Sequence, residues 1–179
     1  MNYSTNSIWI DKEFQTYYDE SCSKGIAVYY EKSLTDEKRT QTDKLIKWLR
    51  KRYFFPIRCS IFVRDCAKFK SKTRGKTCLG IFFAPQRESE VPQIFIAGCN
   101  VQDTVAYTLF HELTHYFQWY FLQDDKRSDR SLETEATKYA DYLCESFLRN
   151  ENKHNACGAT KKTHCNTVRQ KEGIKHVEN

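Results

Sequence analysis

Residues that interrupt regular structure are scarce, since the chain of 179 residues contains only 6 Gly and 3 Pro. Long apolar runs are also absent, because none approaches the roughly 18 residues that a transmembrane helix requires. The opening residues lack both the basic segment and the apolar core of a secretory signal. We therefore expect a cytoplasmic protein with regular secondary structure and no membrane partner.

The spacing of the cysteines does not indicate a framework of disulfide bonds or a CxxC metal site. The 8 cysteines include no CxxC pair, and they fall below the roughly 8 to 10% that is typical of a disulfide scaffold. We interpret them as reduced thiols, with the disulfides of a secreted protein as the alternative. A chain of this length buries about two-thirds of its unfolded surface, so we expect a monomer that folds without disulfide bonds.

Positive charge is concentrated in one segment. The net charge is +6, and the segment from Arg64 to Lys76 carries six basic side chains against the single acidic residue Asp65. Such a segment attracts phosphates, so nucleic acid is one partner to consider. We favour a solvated hairpin loop, because Phe69 is the only aromatic residue in the segment that could stack on bases.

The first part of the chain is predicted to form an arm and then a helix. Residues 1–33 are rich in Tyr, Ser and Asp without periodicity, apart from a short apolar run at 26–30. We interpret them as an irregular N-terminal arm. Ser33 and Asp36 have the spacing of a capping box, and apolar residues then recur at helical spacing. This pattern predicts a first helix over 34–53.

Three short segments have the character of β-strands. Apolar and polar residues alternate over 57–63, and two further apolar runs occupy 79–83 and 93–97. Prolines bound the polar segment between the second and third runs, as is usual at strand ends. The pattern predicts a small three-stranded sheet, mostly antiparallel.

Two helices are predicted after the strands. Asn100 is placed to cap an apolar helix over 101–122, and a second helical stripe covers 132–149. Aromatic residues then disappear, so residues 150–179 are predicted to form a polar, mobile tail. The expected fold class is α+β, with residues 34–149 as the main domain between the arm and the tail.

The central predicted helix carries the pattern HExxH. His111 and His115 lie one helical turn apart on the same face, and Glu112 lies beside them. Two imidazoles at this spacing can bind one Zn²⁺, while the carboxylate points to the open position of the metal. With 5 histidines in 179 residues, composition alone predicts about 0.01 occurrences of the pattern.

Zinc requires a third protein ligand, and the next acidic residues on a predicted helix are Glu133 and Glu135. The positions that share a helix face with Glu133 carry small residues, which let two helices approach closely. Those that share a face with Glu135 carry Lys and Tyr, which hold helices apart. We therefore prefer Glu133 as the third ligand, with Glu135 as the alternative.

The segments HELTH at 111–115 and ETEATKYA at 133–140, with seventeen residues between them, resemble the gluzincin zinc peptidases. The resemblance is greatest to their minimal, ImmA/IrrE-like members, in which a ligand Glu opens the pattern ExxA[ND]xFA. Thr137 stands where this family has Asn or Asp bonded to a ligand histidine, a role that a Thr hydroxyl could also fill. The resemblance implies a helix, a three-stranded sheet, an active-site helix and a ligand helix, in that order.

The resemblance also implies an activity and a mechanism. One Zn²⁺ per chain would activate a water molecule, and Glu112 would act as the general base in peptide-bond hydrolysis. The expected substrate is a protein or peptide, such as a regulatory protein. A catalytically inactive member that binds a partner is the alternative, with or without nucleic acid bound through the basic segment.

In such peptidases an edge strand before the active-site helix binds the extended substrate, and the resemblance gives this position to Gln93–Ala97. The residues expected to contact the substrate backbone are Ile94, Phe95, Ile96 and Ala97. The donor to the tetrahedral oxyanion is left open among Tyr139, Tyr142 and His176.

The predicted tail contains a further group of metal-ligand residue types. Cys157, His164 and Cys165 lie close together in the chain, with His154 and His176 on either side. Their spacing matches no zinc module, so we interpret them as part of a polar tail.

Overall fold

The computed structural model describes Trp9 and residues 25–70, 77–122 and 127–171, with side chains described as far as Asn152. These residues form both helices and strands, and the predicted α+β class is confirmed. Residues 1–144 make up one compact unit, and residues 145–179 make up a second. The elements, in chain order, are β1 (Ile26–Tyr30), α1 (Asp36–Arg52), β2 (Cys59–Arg64), β3 (Phe69–Lys70), β4 (Thr77–Cys78), β5 (Gly80–Phe83), β6 (Gln93–Ala97), α2 (Gln102–Phe121) and α3 (Asp129–Lys171).

The main sheet has four strands in the order β1-β2-β6-β5. The prediction of three mostly antiparallel strands is therefore wrong, since β1, β2 and β6 are parallel and only β5 runs antiparallel to its neighbour. The missing strand is the apolar run at 26–30, which we had assigned to the arm. Helix α1 provides the long crossover that parallel pairing of β1 with β2 requires. No short sequence pattern predicts such a pairing, because the two strands are far apart in the chain.

The predicted edge position of Gln93–Ala97 is also wrong, because β6 pairs on both sides. Its residue Gln93 lies opposite Ser60 of β2, and Ile96 lies opposite Gly80 of β5. The two edges of this sheet, within the described residues, are β1 and β5. Strand β5 is the edge that lies against α2.

Side chains alternate across the sheet as the pattern at 57–63 predicts. Cys59, Ile61 and Val63 are buried, whereas Phe62 is half-buried and Arg64 is exposed. The buried face packs against the helices. The buried apolar residues of the strands and of helices α1 and α2 include Ile26, Leu45, Leu49, Ile61, Ile94, Ile96, Leu109, Phe110, Leu113 and Phe117.

Both predicted caps differ from the observed ones. Thr35, not Ser33, caps α1 by accepting a hydrogen bond from the backbone N–H of Lys38 at 3.4 Å. Helix α2 follows Val101 and has no side-chain cap. Asn100 instead donates to two backbone carbonyls, at 2.9 and 3.0 Å, and so ties the start of α2 to the preceding strands.

The basic segment contains the expected hairpin pairing. Strands β3 and β4 pair antiparallel, with Phe69 opposite Cys78. Residues 71–76 lie outside the described residues. Arg64, at the start of the segment, forms an ion pair with Glu31 at 3.0 Å.

Helix α3 is longer than predicted, and it continues to Lys171 through most of the predicted tail. The apolar stripe of the sequence ends near Arg149, but the helix does not end there. The mobility of the tail stays a prediction, and residues 172–179 lie outside the described part of the chain. No helix in the described ranges is both long and apolar enough to cross a bilayer.

The five cysteines whose surroundings the structure describes are free thiols, as expected for this part of the chain. They are Cys59, Cys66, Cys78, Cys99 and Cys144. The cysteines and histidines that we had considered for a second metal site in the tail lie beyond the described side chains.

Candidate metal centre

Helix α2 brings the two histidines of the HExxH pattern together. Because 3.6 residues make one turn, His111 and His115 project from the same face. Their Nε2 atoms lie 3.2 Å apart, and the two rings are nearly perpendicular, with an interplanar angle of 81°. Both side chains are mostly buried, with 19% and 18% of their surface exposed.

Glu133, near the start of α3, completes the group. One carboxylate oxygen lies 3.3 Å from Nε2 of His111, and the other lies 3.5 Å from Nε2 of His115. Ligands of a tetrahedral zinc ion, each about 2.0 to 2.1 Å from the metal, are about 3.3 Å from one another. The observed separations match this value, so the three residues could hold a metal ion.

Residues near Glu133 on α3 differ in burial, and Glu135 lies outside the metal group. Ala136 and Ala140 share a helix face with Glu133 and are fully buried. Thr137, on the same face, is exposed. Glu135 points elsewhere: its carboxylate pairs with Arg127 at 3.1 Å and does not join the group.

The electrostatics of the group favour the neutral form of a ligand histidine. Burial lowers the pKa of His111, the neighbouring His115 lowers it further, and the carboxylate of Glu133 acts in the opposite direction. A neutral imidazole is the form that binds a metal. We therefore interpret the contact between His111 and Glu133 as convergence of ligand atoms and not as a salt bridge.

Glu112, the residue after His111 on α2, lies beside the metal group and faces the edge strand. It is buried, with 8% of its surface exposed, and its carboxylate accepts a hydrogen bond from the backbone N–H of Phe82 in β5. Burial, and then the charge of Glu133, raises the pKa of Glu112 to about 8, while the hydrogen bond from Phe82 opposes this shift. The general-base candidate is thus held beside the metal group by the backbone of β5.

Gly80 makes the approach of β5 to α2 possible. A Cβ atom at this position would lie 2.6 Å from Cγ2 of Thr108 and 2.7 Å from both Cγ and Oε1 of Glu112. Only glycine fits such a contact. We missed this residue in the sequence, although a glycine at the start of an apolar strand is a known signal of close approach.

Tyr107 is a second site residue that the sequence analysis missed. Its ring stacks near that of His111, with centroids 6.3 Å apart and an interplanar angle of 24°. It precedes His111 by four residues, so helical spacing could have identified it.

The other predicted site residues are dispersed. Ile94, Ile96 and Ala97 are buried within the sheet, and Phe95 stacks on Phe62 with ring centroids 4.8 Å apart. Since β6 is an internal strand, the backbone of these residues has no open side for a substrate.

The three candidate oxyanion donors have different surroundings. Tyr139 is buried and Tyr142 is exposed, and both line one cavity beside α3, whereas His176 lies beyond the described residues.

Comparison with known proteins adds no relative. No protein-family profile, curated protein or solved structure matches the chain.

Proposed function

We propose that the chain is a zinc-dependent peptidase that hydrolyses peptide bonds. The observation that carries the proposal is the meeting of three ligand atoms, from His111, His115 and Glu133, at the mutual distances of a tetrahedral zinc site. A buried carboxylate, that of Glu112, lies next to this group. The likeness of the two sequence segments to ImmA/IrrE-like gluzincins supports the same function.

The residues of the site have distinct roles in this mechanism. A bound zinc ion supplies a Lewis acid and lowers the pKa of its water to about 7. His111, His115 and Glu133 would hold the metal ion. Glu112 accepts the proton of the attacking water and later donates it to the leaving amine.

Edge strand β5 is the surface that we propose for the substrate backbone. The N–H of Ala97 donates to the carbonyl of Leu79 at 2.9 Å, so residues at odd positions in this part of the chain face β6. Gly80 and Phe82 therefore direct their backbone groups away from β6, and the N–H of Phe82 already reaches Glu112. An extended peptide added to this edge would lie beside the catalytic carboxylate.

Metal content and cleavage test the proposal together. Wild type, Glu133→Gln, Glu135→Gln and Glu112→Gln would be purified without chelator and analysed for metal by plasma mass spectrometry. We expect one zinc ion per chain, lost in Glu133→Gln and retained in the other two variants. Cleavage of a proteome-derived peptide mixture, read by mass spectrometry, should be absent in Glu112→Gln.

Each alternative gives a different result in this experiment. Loss of zinc only in Glu135→Gln would move the third ligand by two residues. Zinc without cleavage of any peptide or protein would favour the partner-binding alternative. Wild-type protein that takes up no zinc, even after reconstitution, would reject the metal site.

A further inference from the structure

A buried glutamine on α2 contacts one of the two histidines of the candidate site. Gln118 follows His115 by three residues and is only 5% exposed. Its Oε1 atom lies 2.8 Å from Nδ1 of His115, the ring nitrogen that faces away from the metal group. This contact can have only one donor, and the rest of the network determines which group it is.

The amide group of Gln118 is oriented by two acceptors on the neighbouring helix. Its Nε2 atom donates to the backbone carbonyl of Leu132 and to a carboxylate oxygen of Glu135, each at 3.0 Å. The guanidinium group of Arg127 in turn holds Glu135 at 3.1 Å. If the amide were reversed, its oxygen would face two acceptors and both hydrogen bonds would be lost.

The orientation of the amide determines which ring nitrogen of His115 carries the hydrogen. Both N–H donors of Gln118 are committed to α3, so Oε1 can only accept, and Nδ1 of His115 must carry the hydrogen. The lone pair of His115 is then on Nε2, which faces His111 and Glu133. This tautomer is the one that binds a metal through Nε2.

We propose that Gln118 is a positioning residue for the metal site, and that Glu135 positions Gln118. The inference rests on the proposed metal-dependent function. It assigns a role to Glu135, which we had considered as a ligand. It also gives Gln118 a role that related peptidases give to the residue at the position of Thr137, which is to support a ligand histidine.

Two observations set Gln118 apart from these other positions. Thr137 is exposed, and its hydroxyl bonds to neither ligand histidine within the described residues. Nδ1 of His111 is buried and has no hydrogen-bond partner in the same part of the chain. Among the residues that the structure describes, the orienting contact is therefore made to His115, and it comes from α2 itself.

Zinc affinity is the first test of this assignment. The full-length wild type, Gln118→Met and Thr137→Val would be titrated with Zn²⁺ in competition with a chromophoric chelator. Methionine keeps the volume of glutamine but has no amide, so we expect affinity to fall about 10- to 100-fold. Thr137→Val is the matched control, and its affinity should stay within about twofold of wild type. Circular dichroism of each metal-free protein checks that the fold is retained.

An exchange of donor and acceptor provides a rescue. In Gln118→Glu a carboxylate would face Glu135 and the carbonyl of Leu132, so zinc affinity should fall. In the double variant Gln118→Glu, Glu135→Gln, an amide at position 135 can donate to the carboxylate at position 118. The double variant should therefore bind zinc more tightly than the single variant, which a role limited to packing does not predict.

The tautomer can be read without metal, which separates this inference from the proposed function. Histidine ¹H–¹⁵N spectra of the metal-free protein, above the pH at which the imidazoles are protonated, should show the hydrogen of His115 on Nδ1. Gln118→Met should lose this preference. A wild type that binds no zinc but shows the expected tautomer rejects the metal function and leaves the network intact. Wild-type zinc affinity in folded Gln118→Met, or an equal loss in Thr137→Val, overturns the inference.

Discussion

Helix α2 makes two contacts that matter for the site, and they differ in kind. On the base side, α2 meets β5 at Gly80, and a backbone N–H of the strand holds Glu112. On the ligand side, α2 meets α3 through the contacts of Glu133 with the two histidines, and through the polar network of Gln118.

The two contacts should respond to different kinds of substitution. The base side depends on the absence of a side chain, so it tolerates no added volume. The ligand side depends on hydrogen bonds with defined donors and acceptors, so it should respond to changes in chemistry at constant volume. Four predictions separate the two sides, in order of decreasing effect.

Metal removal should produce the largest change, and it acts on the ligand side. A zinc ion that binds only the folded state stabilises it by about 4 kcal/mol at a concentration 1,000 times its dissociation constant. Treatment with EDTA should therefore lower the melting temperature of wild type, as measured by differential scanning fluorimetry. Glu133→Gln should melt at the same temperature with and without EDTA, whereas Glu135→Gln should still respond. A chelator effect that persists in Glu133→Gln would place the metal elsewhere.

On the base side, Glu112→Gln should stabilise the chelated protein in a pH-dependent way. The pKa of Glu112 rises from 4.5 to about 8 in the folded chain. Between these values the native state holds a proton that the unfolded state has released, so the free energy of unfolding falls as the pH rises. Urea unfolding should show Glu112→Gln more stable than wild type by a few kcal/mol at pH 8. The two proteins should converge near pH 4.5, and a constant difference across this range would contradict the prediction.

Gly80→Ala should destabilise the base side by overpacking. An alanine Cβ would lie within 2.7 Å of Glu112 and within 2.6 Å of Thr108, and such contacts cost about 1 to 3 kcal/mol. Alanine in place of glycine within a strand would otherwise be favourable, so the sign of the effect is informative. The measurement is chemical unfolding of the zinc-loaded variant.

Thr108→Ser tests the origin of this effect. It removes Cγ2 and should restore part of the stability of Gly80→Ala while having little effect alone, as a double-mutant cycle would show. Additive effects of the two substitutions would mean that the clash does not involve Thr108.

Loss of the ion pair between Glu135 and Arg127, on the ligand side, should have the smallest effect on the free energy of unfolding. Glu135→Gln keeps an acceptor for Gln118 but removes the ion pair with Arg127, whose partly exposed partners contribute no more than about 1 kcal/mol. Urea unfolding should detect a change of this size or less. A loss of several kcal/mol would show that the charge of Glu135, and not its geometry, supports the network.

The sequence was informative where chemistry depends on local spacing. His111, Glu112 and His115 are placed by the pitch of a single helix, and the small residues after Glu133 indicated which face of α3 can lie close to α2. The same reasoning failed at the first strand, because a parallel partner is chosen by a crossover through α1. It failed again at Gln93–Ala97, since nothing in an apolar run distinguishes an internal strand from an edge.

The residues that surround the site were hidden for a related reason. Gly80 is 32 positions from Glu112, and Gln118 is 17 positions from Glu135, so neither contact appears as a pattern in the chain. A glycine or a glutamine has many roles in a helix or strand. Its role here becomes visible only when its neighbours in space are known.

By itself, the amino-acid sequence determined the pair of histidines, the carboxylate between them and the α+β class, because helical pitch and side-chain periodicity act over a few residues. Only the tertiary structure decided which strand borders the site and why a glycine stands there. It also decided which side chain orients His115. These features arise from contacts between distant segments, where atomic distances of about 3 Å separate a hydrogen bond from a clash.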